Sequence, residues 1–170
     1  MTAADTTRSR VSELAERALA AAQRRDVSII TAESCTAGML AVLLSEAPCA
    51  ANRLHGGFVT YTKANKTRSL GVSAELLARD GAVCPDVAIA MARGALERSP
   101  ATVSVAITGV AGPEPDEDGN PVGLVCIAVA RRDREPLHLE KRYGDIGREQ
   151  VQERAMADAL DALVRVIESP

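Results

Sequence analysis

Aromatic residues are almost absent from this sequence of 170 residues, which contains no Trp, one Phe and two Tyr. The core must therefore be built from Ala, Val, Leu and Ile. Proteins that hold single-stranded nucleic acid commonly stack the bases on aromatic side chains, so the shortage argues against that role. A charge excess is also missing, because 20 basic and 23 acidic residues give a formal net charge of −3. Nucleic-acid readers usually present a basic face, so we expect no nucleic-acid partner.

Paired cysteines and long apolar runs are missing as well. The four cysteines form no CxxC pair, which argues against a zinc knuckle or a redox motif. Scattered thiols suit a reducing cytosol, so we expect a cytoplasmic protein. We also expect no cofactor. The N-terminus lacks the pattern of a secretory signal, and no stretch approaches the roughly 18 uninterrupted apolar residues of a membrane helix. We therefore expect no contact with a membrane.

The periodicity of the apolar residues predicts a single three-layer α/β/α domain over residues 1–170, with its core at about 10–168 and a mixed sheet of about five strands. The last two strands are expected to form an antiparallel hairpin. The predicted helices cover residues 10–24, Met39 to about Ala47, two short helices in 64–80 broken at Gly71, Pro85 to about Arg98, and the chain from Gly147. The predicted strands cover 27–31, 56–62, 103–107, 124–130 and 137–143.

The segment TAESCTAG, residues 31–38, ends the first predicted strand and opens a helix. N–H groups at the start of a helix are unpaired and carry partial positive charge. A hydroxyl or thiol placed there meets an anion site and a field that favours its ionised form, which would lower the pKa of a thiol. Ser34, Cys35 and Thr36 are therefore candidates for chemistry. A plain helix cap is the alternative interpretation of Ser34.

A lysine is the better candidate for a general base, because the sequence has just two histidines and neither is well placed. The segment from Tyr61 to Lys63 closes the second predicted strand, and ligands gather at the strand ends of α/β sheets. We therefore predict that Lys63 faces Ser34. Desolvation would lower the lysine pKa from about 10.4 until the amine can accept a serine proton. The alternative is a solvated surface lysine.

Four further features of the sequence bear on ligand binding. The small residues of 108–113 suit a nest of backbone N–H groups or an oxyanion hole, or else a simple turn. Arg148, at the start of the last helix, is either a phosphate clamp or a surface residue. Glu33 either orients Lys63 or a substrate hydroxyl, or has only structural partners. The acidic segment 113–121 is expected to be a mobile loop, either a lid or simply solvated, and not a metal cage.

Together these segments resemble the nicotinamide-nucleotide amidase family, which also occurs as the C-terminal domain of competence/damage-inducible CinA proteins. The resemblance covers about residues 10–168. Its matching segments, in chain order, are TAESCTAG at 31–38, HGGFVTYTKANK at 55–66, LGV at 70–72, GAVCPDVAIAMARGA at 81–95, AITGVAGP at 106–113, PVGLVCIAV at 121–129 and GDIGREQV at 144–151.

The resemblance implies an enzyme that hydrolyses the carboxamide of nicotinamide mononucleotide to nicotinic acid mononucleotide and ammonia. It implies an α/β/α fold, a homodimer and no metal. By motif position, Ser34 is implied as the nucleophile and Lys63 as the base, with Tyr61 assisting. The candidate substrate contacts are Glu33, Cys35, Thr36, Thr108, Gly109 and Arg148.

The sequence departs from the usual family pattern at several positions, which leaves its substrate preference open. The departures are Ala37, the turn at 48–53, Cys84, Gln152 and the unusually acidic loop at 114–120.

Two other functions are therefore kept as alternatives. One is a binding module without turnover, which senses a pyridine nucleotide or serves a competence or DNA-damage complex. The other is an amidase for another small amide.

Overall fold

The computed structural model describes residues 3–170, with side chains described for residues 10–170. Within this range the chain forms seven helices and five strands. None of these helices is both long and apolar enough to cross a membrane. The helices are α1 (Ala3–Arg25), α2 (Met39–Glu46), α3 (Ala50–Arg53), α4 (Lys63–Leu70), α5 (Ala74–Asp80), α6 (Pro85–Glu97) and α7 (Arg148–Glu168). The strands are β1 (Ile29–Glu33), β2 (Leu54–Val59), β3 (Val103–Gly109), β4 (Leu124–Arg131) and β5 (Arg134–Arg142).

The five strands form one mixed sheet in the order β2-β1-β3-β4-β5. β2, β1 and β3 are parallel, whereas β4 and β5 run antiparallel to their neighbours. The middle strand, β3, is buried from Val103 to Thr108. A continuous apolar run of this kind is typical of a strand that is covered on both faces. The predicted mixed sheet and its closing hairpin are therefore confirmed.

Helices cover both faces of the sheet, which confirms the predicted three-layer arrangement. Because side chains alternate along a strand, Val105 and Ile127 pack in the core beneath α1 and α7. Their neighbours Ala106 and Ala128 pack in the second core, beneath α6. Small residues on this second face, together with the buried alanines of α6, let the helix lie close to the strands. These alanines are Ala88, Ala92 and Ala95.

The boundaries of several elements differ from the predictions because partner strands decide them. β1 spans 29–33 and not 27–31, since the N–H of Val27 donates to Ala22 O at 3.0 Å and closes α1. β2 begins at Leu54 and ends at Val59, which pairs with Glu33 in the parallel register. The short helix α3 was not predicted. At the hairpin, Arg131 pairs with Arg134, so β5 begins three residues earlier than predicted.

Gly94 lies where α6 crosses the end of α4, and a side chain there has no room. A Cβ atom at this position would overlap the carbonyl oxygen of Leu70. Helix propensity alone favours Ala over Gly by about 1 kcal/mol. We expect the overlap to dominate, so that Gly94→Ala lowers the free energy of unfolding by about 2 kcal/mol. Urea denaturation measures the change.

Ala90→Gly in the same helix is the matched control and should cost about 1 kcal/mol through propensity. A Gly94→Ala protein more stable than the parent would contradict the close approach of α6 and α4.

Candidate active site

A cavity of about 440 Å³ opens where the parallel strands β1 and β3 end. The carboxyl ends of parallel strands are where ligands usually bind in α/β proteins. The predicted site residues that line this cavity are Ser34, Cys35, Tyr61, Lys63, Thr108, Gly109 and Arg148, and Lys66 lines it with them. These seven predicted residues therefore lie together at one cavity, while Glu33 and Thr36 lie behind it.

Ser34 and Lys66 form the centre of the cavity. Ser34 follows β1 directly, and its backbone N–H donates to Ile107 O of β3 at 2.9 Å, which holds the residue against the sheet. Lys66 Nζ lies 2.7 Å from Ser34 Oγ and 2.7 Å from Thr60 O. The exposed fraction is 7% for Ser34 and 1% for Lys66. A primary amine is therefore held against a hydroxyl, away from bulk water.

The amine of Lys66 has no carboxylate partner among the residues whose side chains are described; a hydroxyl and a carbonyl oxygen are its hydrogen-bond partners. Burial without a compensating negative charge disfavours the ammonium form. It lowers the pKa of Lys66 to about 8. The neutral amine is thus accessible near neutral pH, which is the condition for taking a proton from Ser34.

The N-terminal cap of α4 sets the direction of Lys66. Thr62 precedes the helix, and its hydroxyl accepts a hydrogen bond from Asn65 N at 3.1 Å. Lys66 and Leu70 are four residues apart and share one face of α4. Leu70 is fully buried in the core beneath α6. The same face therefore turns Lys66 inward, to the end of β1.

Lys63 was predicted to be the base that faces Ser34, and the structure corrects this placement. Its Nζ forms ion pairs with Asp118 at 2.6 Å and Glu117 at 3.2 Å. The hydrogen bond to Asp118 is the main reason that the pKa of Lys63 is raised. A lysine that is stabilised in its charged form is a poor proton acceptor. Lys66, one helical turn further on, occupies the predicted position.

Glu33 has only structural partners, in agreement with the second of the two interpretations offered for it. It is fully buried at the end of β1. Its carboxylate accepts hydrogen bonds from the hydroxyls of Thr31 and Thr36 at 3.1 and 2.8 Å. It also accepts from three backbone N–H groups, those of residues 38, 40 and 41, at 3.0, 3.0 and 2.9 Å. Glu33 and Thr36 therefore shape the loop and do not line the cavity, so their prediction as substrate contacts is corrected.

The carboxylate of Glu33 also changes the electrostatics expected at Ser34. The sequence suggested that the positive end of α2 would serve as an anion site, but the protein's own carboxylate occupies it. Ser34 N is also taken, by β3. Cys35, the residue after Ser34, lines the cavity, and among residues 10–170 the contact of its backbone N–H is with its own thiol, a weak acceptor. This donor is available to a ligand.

Cys35 lines the cavity, but its thiol is not activated. Burial raises the pKa of Cys35 to about 12, opposite to the predicted lowering. The reason is that the thiol is desolvated, while the helix terminus that would favour a thiolate is bound to Glu33. The backbone carbonyl of Cys35 accepts a hydrogen bond from Gln152 of α7 at 2.7 Å. Cys35 therefore helps to anchor the loop to the neighbouring helix.

Arg148 and Tyr61 meet at the cavity from distant parts of the chain. The guanidinium of Arg148 donates to Gly112 O at 2.8 Å and to the Tyr61 hydroxyl at 3.2 Å. Tyr61 is 57% exposed, and neither Ser34 nor Lys66 is a hydrogen-bond partner of its hydroxyl in the described chain. Arg148 is exposed and forms no ion pair with any described residue, so its charge is available to an anionic ligand.

Thr108 and Gly109 form the wall of the cavity at the end of β3. The Thr108 hydroxyl donates to Ala82 O at 2.8 Å, so it can still accept a hydrogen bond from a ligand. A Cβ atom on Gly109 would lie 2.7 Å from the side chain of Val125, so glycine lets β3 and β4 remain close. The side chains of residues 10–170 include no group of three or more His, Cys, Asp or Glu that could hold a metal ion.

Sequence reasoning missed Lys66 because it assigned the base to the first lysine after β2. The spacing of Lys66 and Leu70 carried the missing signal. An apolar residue four positions after a lysine on a short capped helix places both on the buried face. Lys63, at the first position of the same helix, lies where side chains reach solvent and neighbouring loops.

The sequence pattern of the CinA C-terminal domain family matches residues 11–167. The Nicotinamide-nucleotide amidohydrolase PncC of Pseudomonas putida is 39% identical over 144 residues, which are 85% of this chain and 89% of that protein. A CinA-like protein of Mycolicibacterium paratuberculosis is 41% identical over 167 residues, 94% of this chain and 36% of its own length. This chain spans about a third of the length of several curated relatives that it matches, among them this CinA-like protein.

Solved structures with the same fold include the competence/damage inducible protein CihA from Agrobacterium tumefaciens. It superimposes with a TM-score of 0.89 at 41% identity, covering 94% of this chain and 96% of that one. A CinA superfamily protein from Escherichia coli gives a TM-score of 0.83 at 37% identity, covering 98% and 93%. The arrangement of helices and strands described above is therefore shared by these proteins.

Burial of Lys66 predicts a cost in stability. Below pH 8 the folded protein must bury a charge, whereas between about pH 8 and 10.4 the unfolded chain binds the additional proton. The free energy of unfolding should therefore rise with pH across this window. Replacing the lysine by an apolar side chain of similar length removes the free-energy cost of burying the ammonium. This gain is offset in part by the loss of the hydrogen bonds to Ser34 and Thr60. We expect Lys66→Met to stabilise the protein by about 1–2 kcal/mol at pH 7 and by less at pH 10.5.

Urea denaturation at the two pH values measures this difference. Lys141→Met, which removes a partly exposed ion pair with Asp158, is the matched control and should change stability by less than about 0.5 kcal/mol. An equal loss of stability at both pH values for Lys66→Met would show that burial does not disfavour the ammonium.

Proposed function

Because the chain belongs to the CinA C-terminal domain family, we propose that it hydrolyses the carboxamide of nicotinamide mononucleotide to nicotinic acid mononucleotide and ammonia. The observation that carries the proposal is the 2.7 Å contact between Lys66 Nζ and Ser34 Oγ inside a cavity. A hydroxyl held against a buried amine is a known arrangement for nucleophilic attack on an amide carbon. The likeness to an amidohydrolase over most of both chains supports the substrate class.

The proposed reaction is acyl transfer through Ser34. Lys66, as the neutral amine, takes the proton of Ser34 Oγ while the oxygen attacks the carboxamide carbon. The resulting ammonium then gives a proton to the departing nitrogen, which leaves as ammonia, and Ser34 is left as an ester. Water, deprotonated by the neutral amine of Lys66, attacks the ester carbon, and the resulting ammonium returns this proton to Ser34 Oγ as the ester bond breaks and the carboxylic acid is released. The same amine thus serves as base and acid in each of the two steps.

The backbone N–H of Cys35 is the proposed donor to the oxyanion. Cys35 immediately follows Ser34 and lines the cavity, and within residues 10–170 its N–H contacts its own thiol and no stronger acceptor. Preorganised donors of this kind stabilise charge that develops on the carbonyl oxygen, and losing one typically costs about 100-fold or more in rate. Cys35 therefore acts through its backbone, not through its thiol.

Arg148 is the proposed contact for the phosphate group of the substrate. Its guanidinium lies at the cavity, bonded to a carbonyl and to the Tyr61 hydroxyl, without a carboxylate partner in the described chain. A planar guanidinium binds phosphate through two parallel hydrogen bonds. Binding energy from the phosphate would orient the distant carboxamide against Ser34. Thr108 and Gly109 would contact the reacting end. The homodimer and the cytoplasmic location stay predictions of the family resemblance.

Ammonia release from nicotinamide mononucleotide tests the roles of Ser34 and Lys66. We expect Ser34→Ala and Lys66→Met each to lower kcat by at least about 1,000-fold, because the nucleophile and its base act as one unit. Lys141→Met, on β5 and paired with Asp158, should leave the rate unchanged. A coupled ammonia assay, with folding checked by circular dichroism, provides the measurement.

Wild-type release by Ser34→Ala would remove the proposed nucleophile. Loss of activity in Lys63→Met with normal activity in Lys66→Met would show that Lys63, and not Lys66, is the base. Tight binding of the nucleotide by the wild type without any turnover would favour the binding-module alternative.

The pH dependence of the reaction follows from the amine of Lys66. Protonated Lys66 cannot accept a proton, so activity should be low in acid and rise as the amine loses its proton. Because the pKa of Lys66 is about 8, kcat/KM is expected to rise about tenfold per pH unit below pH 8 and to level off above it. Initial rates of ammonia release from pH 6 to 10 measure the profile. A flat profile across this range would argue against a lysine base.

A further inference from the structure

The loop at residues 114–120 brings four carboxylates to the cavity that contains Ser34. These residues are Glu114, Asp116, Glu117 and Asp118. Three cationic side chains line the same cavity, those of Lys63, Lys66 and Arg148. The amine of Lys66 contacts Ser34 and Thr60 and not a carboxylate of the loop. Lys63 and Arg148 are therefore the two remaining cations at this cavity.

Contacts other than Lys63 hold the acidic loop in place. Asp116 Oδ1 accepts hydrogen bonds from Asp118 N at 3.0 Å and Asn120 N at 2.8 Å, which closes the loop on itself. Asp118 Oδ2 accepts from Ala82 N at 3.1 Å and ties the loop to the segment before α6. Without Lys63, the Asp118 carboxylate would therefore keep its position and its charge at the cavity.

Lys63 supplies the compensating charge for this wall. Its Nζ lies 2.6 Å from Asp118 Oδ1 and 3.2 Å from Glu117 Oε1, so one ammonium faces two carboxylates. The pair is half shielded, with side-chain exposures of 29% for Lys63 and 24% for Asp118. In such a partly enclosed space, a charge acts on a ligand more strongly than it would on an open surface.

We propose that Lys63 is a specificity-determining residue: by neutralising Asp118 and Glu117, it lets an anionic phosphate enter a cavity whose wall would otherwise repel it. The inference rests on the proposed function for the identity of the substrate. It concerns the charge of the ligand and assigns Lys63 no part in proton transfer. A ligand with the same pyridine carboxamide but no phosphate carries only the positive charge of the ring, so it gains nothing from Lys63.

Two ligands that differ only by the phosphate test this proposal: nicotinamide mononucleotide and nicotinamide riboside. Their dissociation constants are measured by calorimetry in a Ser34→Ala background, which prevents turnover. We expect Lys63→Met to weaken binding of the mononucleotide by roughly three- to tenfold and to leave the riboside unchanged or more tightly bound. Adding Asp118→Asn to Lys63→Met should recover most of the loss. Lys141→Met is the matched lysine control.

The loss should also shrink at high salt, because it comes from a partly exposed charge. Equal weakening of both ligands by Lys63→Met would overturn the proposal and indicate a role in loop position. An unchanged ratio of the two affinities would overturn it too. So would a Lys63→Met/Asp118→Asn variant that binds the mononucleotide no more tightly than Lys63→Met does. Binding of neither ligand would overturn it together with the proposed substrate.

A separate readout distinguishes the proposed reaction from this inference. A wild-type protein that shows the charge-dependent affinities but releases no ammonia would contradict the reaction and support the role of Lys63. If the wild type releases ammonia but Lys63→Met leaves the ratio of the two dissociation constants unchanged, the reaction would be supported and the role of Lys63 contradicted.

Discussion

The carboxylate of Glu33 is the contact on which the geometry of the site depends. It closes the start of α2 through three backbone N–H groups and is joined by the hydroxyls of Thr31 and Thr36. A buried carboxylate without such partners would cost several kcal/mol, so the loop can fold only with these donors in place. Ser34 follows Glu33 directly, so the contacts that fix Glu33 also fix the position of Ser34. The nucleophile candidate is thus held by the end of a strand and by a helix terminus together.

Glu33 also decides which kind of chemistry the site can support. A free helix terminus would favour a thiolate or an alkoxide on the loop, but this terminus is already bound to an anion. The pKa of the Cys35 thiol is raised by burial. In the proposed reaction Ser34 uses a separate base, Lys66, which is desolvated beside a hydroxyl and a carbonyl, neither of which stabilises its charge as a carboxylate would.

Two lysines one helical turn apart have opposite environments. Lys66 faces the core and has its pKa lowered by burial, whereas Lys63 faces an acidic loop and has its pKa raised by Asp118. The short helix α4 separates the two, since its cap at Thr62 fixes where the helix begins and therefore which lysine points inward. One remains charged at the edge of the cavity, and the other is available to move a proton.

Sequence pattern alone determined the α/β/α layers, the closing hairpin, Ser34 at the end of β1 and most of the cavity lining. These follow from apolar periodicity and from turn residues, which act over a few neighbours in the chain. The tertiary structure decided that Lys66 and not Lys63 meets Ser34, that Glu33 occupies the helix terminus, and that Lys63 neutralises a loop about fifty residues away. Each of these depends on burial and on partners brought together by folding, and the free energy of a charged group is set by that environment and not by its position in the sequence.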